Sequence, residues 1–327
     1  MFQGRRWHAE AFGDPRDVLR LAEATWPTPE VGRVLVEVTA CGVGLPDLLI
    51  TTGAYPLLPN PPVAPGQEVV GTVAAVPDGS AFTVGERVMG VTAFLEGWGG
   101  YADFAYLGEG TTQRVPDAMS DEEAAGFTIA FRTAHAALAQ RVMVSQGDVV
   151  LVLGAAGNTG AAAVLMAKAL GAKVIAVASG PERLSFCTGL GADHVVDRQT
   201  SDVVDAVHEI TGGDGADVVV DPVGGDLGTR AAAAVARLGH IAVVGYASGS
   251  WLTLDPVDMV LRNYSAAGVF AAGTPAEDAL AYGALRELAN RGAIKTPVSS
   301  LAAFTDVPEV ISGIRTAPPG KTVVLVR

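Results

Sequence analysis

The sequence predicts an α/β protein made of a β-rich part and a doubly wound parallel sheet covered by helices. Three observations carry this. The 327 residues exceed a single core of roughly 100–200 residues, so two domains are expected, with a cleft between them. Up to about residue 118, short runs of β-forming residues are punctuated by Gly and Pro. Beyond it, strand-like and helix-like segments alternate, the pattern of a parallel sheet with crossover helices.

In the first part, residues 31–40 (VGRVLVEVTA) alternate apolar and polar positions, and 67–76 (QEVVGTVAAV) and 85–92 (GERVMGVT) continue as short β runs. The stretch DEEAAGFTIAFRTAHAALAQ (121–140) reads as helix. Then follow the strand DVVLVLG, the helix AAAVLMAKAL and the strand KVIAVAS. Further pairs are ERLSFCTGL with HVVD, VDAVHEIT with ADVVVDPV, and the helix GTRAAAAVARLG with the strand HIAVVGYA. Strands such as VVLVLG are apolar at successive residues, as expected where helices cover both faces. A helix over 276–292 leads to extended segments at 294–302 and 321–327, expected to rejoin the first part. The expected division is 1–122 with 271–327, and 123–270.

Composition excludes several classes. A net charge of −13 opposes attraction to nucleic acid or anionic membrane. Although 49% of residues are hydrophobic, no apolar run reaches the roughly 20 residues of a membrane span. Residues 1–10 are not followed by the apolar segment of a secretory signal, so a cytoplasmic location is expected. Cys41 and Cys187 form no CxxC pair and read as buried thiols rather than reactive ones. His8, His135, His194, His208 and His240 show no metal-like spacing, and no metal ligand set is expected.

Residues 148–180 form one strand–turn–helix–strand unit containing LGAAGNTG. Gly154, Gly157 and Gly160 give GxxGxxG: freedom in the turn, close approach to a pyrophosphate, and close helix packing. The amides at the helix start then face phosphate. Gly154, Ala156, Gly157, Asn158, Thr159 and Gly160 are the candidate contacts, against the alternative of a turn without ligand. At the end of the next strand, where NAD-binding chains place Asp or Glu, this chain has Ala178-Ser179-Gly180. Ser179, Arg183 and Arg198 are therefore candidates for a 2′-phosphate, which points to NADPH. The alternative makes both arginines surface charges and turns Glu182 inward.

Taken together, CGVGLPDLLITTGAYP (41–56), PGQEVVGTV (65–73), AGFTIAFRTAHAAL (125–138), LGAAGNTG (153–160), LGADHVVD (190–197), DPVGG (221–225) and VGYASG (244–249) resemble the zinc-free quinone oxidoreductase branch of the medium-chain dehydrogenase/reductase superfamily. The resemblance covers nearly the whole chain. It implies a GroES-like β domain, a Rossmann domain, a cleft holding NADPH, and homodimers joined through the last Rossmann strand, around Tyr264–Phe270. It also implies that Tyr55, in GAYP, lines the acceptor site and that Asp47 matches an acidic position there. Thr128 and Thr133 are carried to the nicotinamide end, Val223 to the adenine ribose, Gly245 and Tyr246 to the following loop, and Phe270 to the carboxamide.

Zinc-dependent relatives place Cys where this chain has Gly44 and His where it has Gln67, and neither residue is an ordinary zinc ligand. Without a metal to polarise a carbonyl, the expected acceptor is already electron-poor, a quinone or an enone. Tyr55 then serves as a hydrogen-bond or proton donor, or else only packs before Pro56; Asp47 acts in the site, or else caps a short helix after Pro46. Many relatives carry Asn in place of Gly44 and some a second Tyr in place of Leu49. These departures keep an enone or enoyl reductase, and a non-catalytic nucleotide-binding relative, as alternatives.

Overall fold

All 327 residues are described by the computed structural model of the chain. Two antiparallel strands, β1 (Phe2–His8) and β2 (Arg20–Trp26), pair in register with the short helix α1 (Pro15–Val18) between them. Neither strand has the strict alternation that makes 31–40 legible. The alternating run becomes β3 (Arg33–Gly42), followed by α2 (Leu45–Thr52), β4 (Glu68–Ala75), β5 (Arg87–Val91), β6 (Phe104–Gly108) and β7 (Gln113–Arg114). Val34, Val36, Val38 and Cys41 of β3 are buried with Val69, Val73 and Val88 in one core.

Residues 121–140 do not form the single helix expected. They divide into α3 (Asp121–Ala125), α4 (Thr128–His135) and a π-helical turn over 136–141. Gly126 marks the break. A Cβ there would lie 2.6 Å from Lys321 Cγ, so the chain passes the Lys321 side chain at a distance only glycine allows.

The alternating second half gives β8 (Val149–Val152), α5 (Asn158–Ala169), β9 (Lys173–Ala178), α6 (Pro181–Gly189), β10 (His194–Asp197), α7 (Val203–Thr211), β11 (Ala216–Asp221), α8 (Gly225–Ala231), β12 (Val235–Val243), α9 (Pro256–Arg262) and β13 (Ser265–Gly268). All six strands are parallel, in the order β10-β9-β8-β11-β12-β13. This is the doubly wound order: the chain runs outward from β8 through β9 to β10, then crosses back to β11 on the other side of β8. The helix expected over GTRAAAAVARLG stops early, because Val235 already pairs with Ala216 at the start of β12. The ladder breaks there, Leu238 takes a left-handed φ of 69°, and pairing resumes at His240 with Val218. Strand pairing overrides the helix propensity of the alanines.

Helix α10 (Pro275–Asn290) is followed by β14 (Val298–Ala303), α11 (Val307–Ser312) and β15 (Lys321–Leu325). β15 pairs with both β14 and β3, completing the sheet β14-β15-β3-β4-β5-β7, with β6 on β3. Met1–Ile129, Gly273–Arg286 and Lys295–Arg327 form one compact unit; Ala130–Ala272 and Glu287–Ile294 form the second. The fold is thus a GroES-like domain and a Rossmann-type parallel-sheet domain.

Candidate dinucleotide and acceptor sites

In the second unit, the turn after β8 is folded on itself. Gly154 has a φ of 58°, Gly157 N donates to Gly154 O at 3.0 Å, and Ala155 N donates to Val177 O at 3.0 Å. A Cβ on Gly154 would sit 2.8 Å from Val223 Cγ2, and one on Gly160 would sit 2.2 Å from Gly154 O. The glycines are required by these approaches. Gly157 caps α5 without a side chain, so the amides of Asn158, Thr159 and Gly160 open the helix with no intrahelical acceptor. Ala156 is buried beneath the turn. An amide cradle at a helix start, where the strand order reverses, fits a pyrophosphate.

At the ends of β9 and β10, Arg198 Nε donates to Ser179 Oγ at 2.7 Å. These two candidates are brought together on the surface. Arg183 lies in the first turn of α6, half-buried, and its charge opposes the burial that pushes the Cys187 thiol up to about 11. Glu182 is exposed rather than turned inward. Asp197, a carboxylate overlooked in the sequence, reaches this corner from β10. Its Oδ1 accepts from Gly180 N at 3.3 Å and Gln199 N at 3.0 Å, so that oxygen is already engaged.

The loops after β11 and β12 meet at Asp221. Val223 N and Gly224 N each donate to its Oδ1 at 2.8 Å, while its main-chain oxygen accepts from Val244 N and Gly245 N. Val223 and Gly245 are thereby fixed, and Tyr246 packs against Trp251 in a tilted arrangement with ring centroids 4.6 Å apart. Burial raises the Asp221 carboxyl, with the Gly224 and Val223 amides opposing. Its signal in the sequence is an acid closing an otherwise apolar strand, ADVVVD. Phe270 lies beyond β13 and is 72% exposed.

In the first unit, the Asp47 carboxylate is 1% exposed and accepts from Gly44 N at 2.8 Å, Gly66 N at 2.8 Å and Tyr101 OH at 3.0 Å. Burial pushes its carboxyl up to about 6, against the pull of both amides, Lys321 and Tyr101. Tyr55 is half-buried, its ring centroid 6.1 Å from that of Phe94, and Gln67 Nε2 donates to its hydroxyl oxygen at 3.2 Å. Next to Gln67, Glu68 is paired with Lys321 at 2.6 Å, the two side chains 4% and 1% exposed. The second oxygen of Glu68 accepts from Ile129 N at 2.8 Å, in the first turn of α4. Thr128, which opens α4, is buried with a hydroxyl that has no partner within the chain. Thr133 lies half-buried further along α4. The Glu68–Lys321 pair was not singled out from the sequence. No group of three or more His, Cys, Asp or Glu side chains is placed to hold a metal ion.

The parallel sheet, its amide cradle and the separate β domain define a dinucleotide-binding α/β protein. Residues 159–289 match the family described as zinc-binding dehydrogenase, and residues 30–154 the alcohol dehydrogenase GroES-like domain. Quinone oxidoreductase-like protein 2 homolog of Nematostella vectensis is 35% identical over 256 residues, 76% of this chain and 68% of that relative. The solved Pseudomonas syringae pv. Tomato DC3000 quinone oxidoreductase superposes with a TM-score of 0.90 at 28% identity, covering 99% of this chain and 100% of its own. A mycobacterial protein solved in complex with NADPH has a TM-score of 0.90 at 29% identity, covering 98% of this chain and 100% of its own. The chain belongs to the quinone oxidoreductase branch of the medium-chain dehydrogenase/reductase superfamily.

Proposed function

We propose that the protein is a zinc-independent oxidoreductase that passes hydride from NADPH to a quinone or similar electron-poor acceptor. The observation that carries this reading is the amide cradle at the head of α5, set at the reversal of strand order. The bound nicotinamide supplies the hydride. The Asn158, Thr159 and Gly160 amides bind pyrophosphate, while Arg198, held on Ser179, meets the 2′-phosphate.

On the acceptor side, Tyr55 is oriented by Gln67 and donates a hydrogen bond to the oxygen that gains charge. Asp47 acts as a positioning group, because its three internal donors fix α2 against the Gly66 turn. Gly44 and Gln67 offer no zinc ligand, and Lys321 neutralises Glu68, so the acceptor must be electron-poor in its own right. A panel of quinones and enones with NADPH, followed at the cofactor absorbance, tests the reading; oxidation of NADPH by quinones is expected. The absence of polar side chains at Gly44 and Leu49 favours enone reduction as the second reading. Turnover of enones alone would establish that activity instead. NADPH binding without turnover of either class would make the protein a nucleotide-binding relative.

The exposed strand β13 and Phe270 also support a homodimer joined edge to edge. Sedimentation at assay concentration should give twice the chain mass; the single-chain mass would exclude it.

A further inference from the structure

We propose that Asp221 is a positioning residue for the cofactor, its side chain holding the loop after β11 in the form that laces to the loop after β12 at the dinucleotide site; this rests on the NADPH reading above. The case starts from its environment. Asp221 ends β11 with no solvent exposure, at the carboxyl edge of the sheet, in the strand next to β8. A carboxylate in such a place is costly unless its hydrogen bonds repay the desolvation. Oδ1 takes two amides, from Val223 and Gly224, each at 2.8 Å. Oδ2 has no partner within the chain and lies 2.1 Å from where a Cβ on Gly228 of α8 would stand. The carboxylate is therefore kept in a buried slot that exists only because residue 228 is glycine.

What this cost secures is the geometry of two loops. The amide bonds to Oδ1 curl the chain so that Val223 Cγ2 comes within 2.8 Å of the place where a Gly154 side chain would begin, directly against the phosphate turn. The Asp221 carbonyl holds Val244 N at 2.9 Å and Gly245 N at 3.1 Å, anchoring the loop after β12. The two loops are then laced together: Ala247 N donates to Pro222 O at 3.2 Å, Ser248 N to Val223 O at 2.9 Å, and Gly225 N to Ser250 O at 2.8 Å. Removing the side chain frees the Val223 and Gly224 amides, and with them the register of this lacing. The sheet itself keeps its hydrogen bonds. Cofactor affinity should suffer while the chemical step does not, because Asp221 touches neither reacting group.

The test compares wild type with Asp221→Ala, Asp221→Asn and Gly228→Ala, reading amide hydrogen exchange without cofactor, NADPH dissociation constants by titration, and kcat at saturating NADPH. In Asp221→Ala, protection should be lost over 223–225 and 247–248, and retained at Val244 and Gly245, which the main-chain oxygen still holds, and in β8 and β9. The NADPH dissociation constant should rise roughly tenfold or more, the loss expected for charge-assisted bonds to two amides. Asp221→Asn keeps one oxygen for those amides and should fall between. Gly228→Ala presses on Oδ2 and should reproduce the loss without touching the carboxylate chemically. Turnover at saturation should stay within about twofold in all three. Unchanged loop protection, or unchanged NADPH affinity, in a folded Asp221→Ala protein would overturn the proposal. Should that variant fail to fold, unchanged affinity in Gly228→Ala would overturn it. A wild type that does not bind NADPH would sink the functional reading, and the exchange data would still report whether Asp221 ties the loops.

Discussion

Arg198 and Tyr55 are the residues at which cofactor choice and acceptor chemistry separate. Arg198 is held by Ser179 on the surface. If it meets the 2′-phosphate, Arg198→Ala should cost about 1.5–3 kcal/mol of NADPH binding, roughly ten- to a hundredfold, and leave NADH unchanged. Arg183→Ala should have the smaller effect, since Arg198 is the arginine hydrogen-bonded to Ser179. Titration of both nucleotides against both variants checks this, and equal wild-type affinity for NADH and NADPH would refute the preference. Tyr55→Phe keeps the ring contact with Phe94 and removes only the hydroxyl. Turnover should drop by about tenfold or more with NADPH affinity intact. Unchanged turnover would reduce Tyr55 to packing.

At the scale of elements, α5 depends on one close approach. Gly160→Ala would drive a Cβ into the Gly154 carbonyl, 2.2 Å away and part of the backbone. The helix must shift off the turn, at a cost of about 1–3 kcal/mol, and calorimetry should show a lower Tm together with weakened NADPH binding. An unchanged Tm and affinity would mean that the turn yields freely. This unit was legible in sequence because strand, glycines and helix are contiguous, and the same holds for the parallel strands, whose apolar runs need no distant partner to be recognised. Elsewhere local pattern misled. The break falls at Gly126, where Lys321 leaves no room for a side chain, and the helix before Val235 ends early through pairing with Ala216. Neither partner is nearby in the chain. Motifs name candidate residues, but the roles of Asp221, Asp197 and the Glu68–Lys321 pair are not legible, since a carboxylate looks the same in sequence whether it meets water, an amide or a lysine.

For the whole molecule, stability should carry the mark of Asp47. Its folded carboxyl lies at about 6 against an ordinary 3.8, so the folded state holds the proton more tightly. That contribution is fully present below pH 3.8 and is lost as pH rises through about 6, a change of about 3 kcal/mol at most. Denaturant unfolding at pH 4–7 should therefore show wild type losing stability relative to Asp47→Asn as pH rises to about 6, then running parallel to it; a constant difference would argue against the raised value. Elemental analysis of purified protein should find no stoichiometric zinc, with activity unchanged by chelators, and one zinc per chain would refute this. The Glu68–Lys321 pair spans 253 positions. On the ribosome, residues 130–272 emerge before Lys321 exists, while Glu68 waits in an interior lacking its counter-ion. Synthesis thus imposes an order that equilibrium does not: the nucleotide-binding sheet can mature on the nascent chain, whereas the unit that holds Glu68 must remain unfinished until β15 is translated.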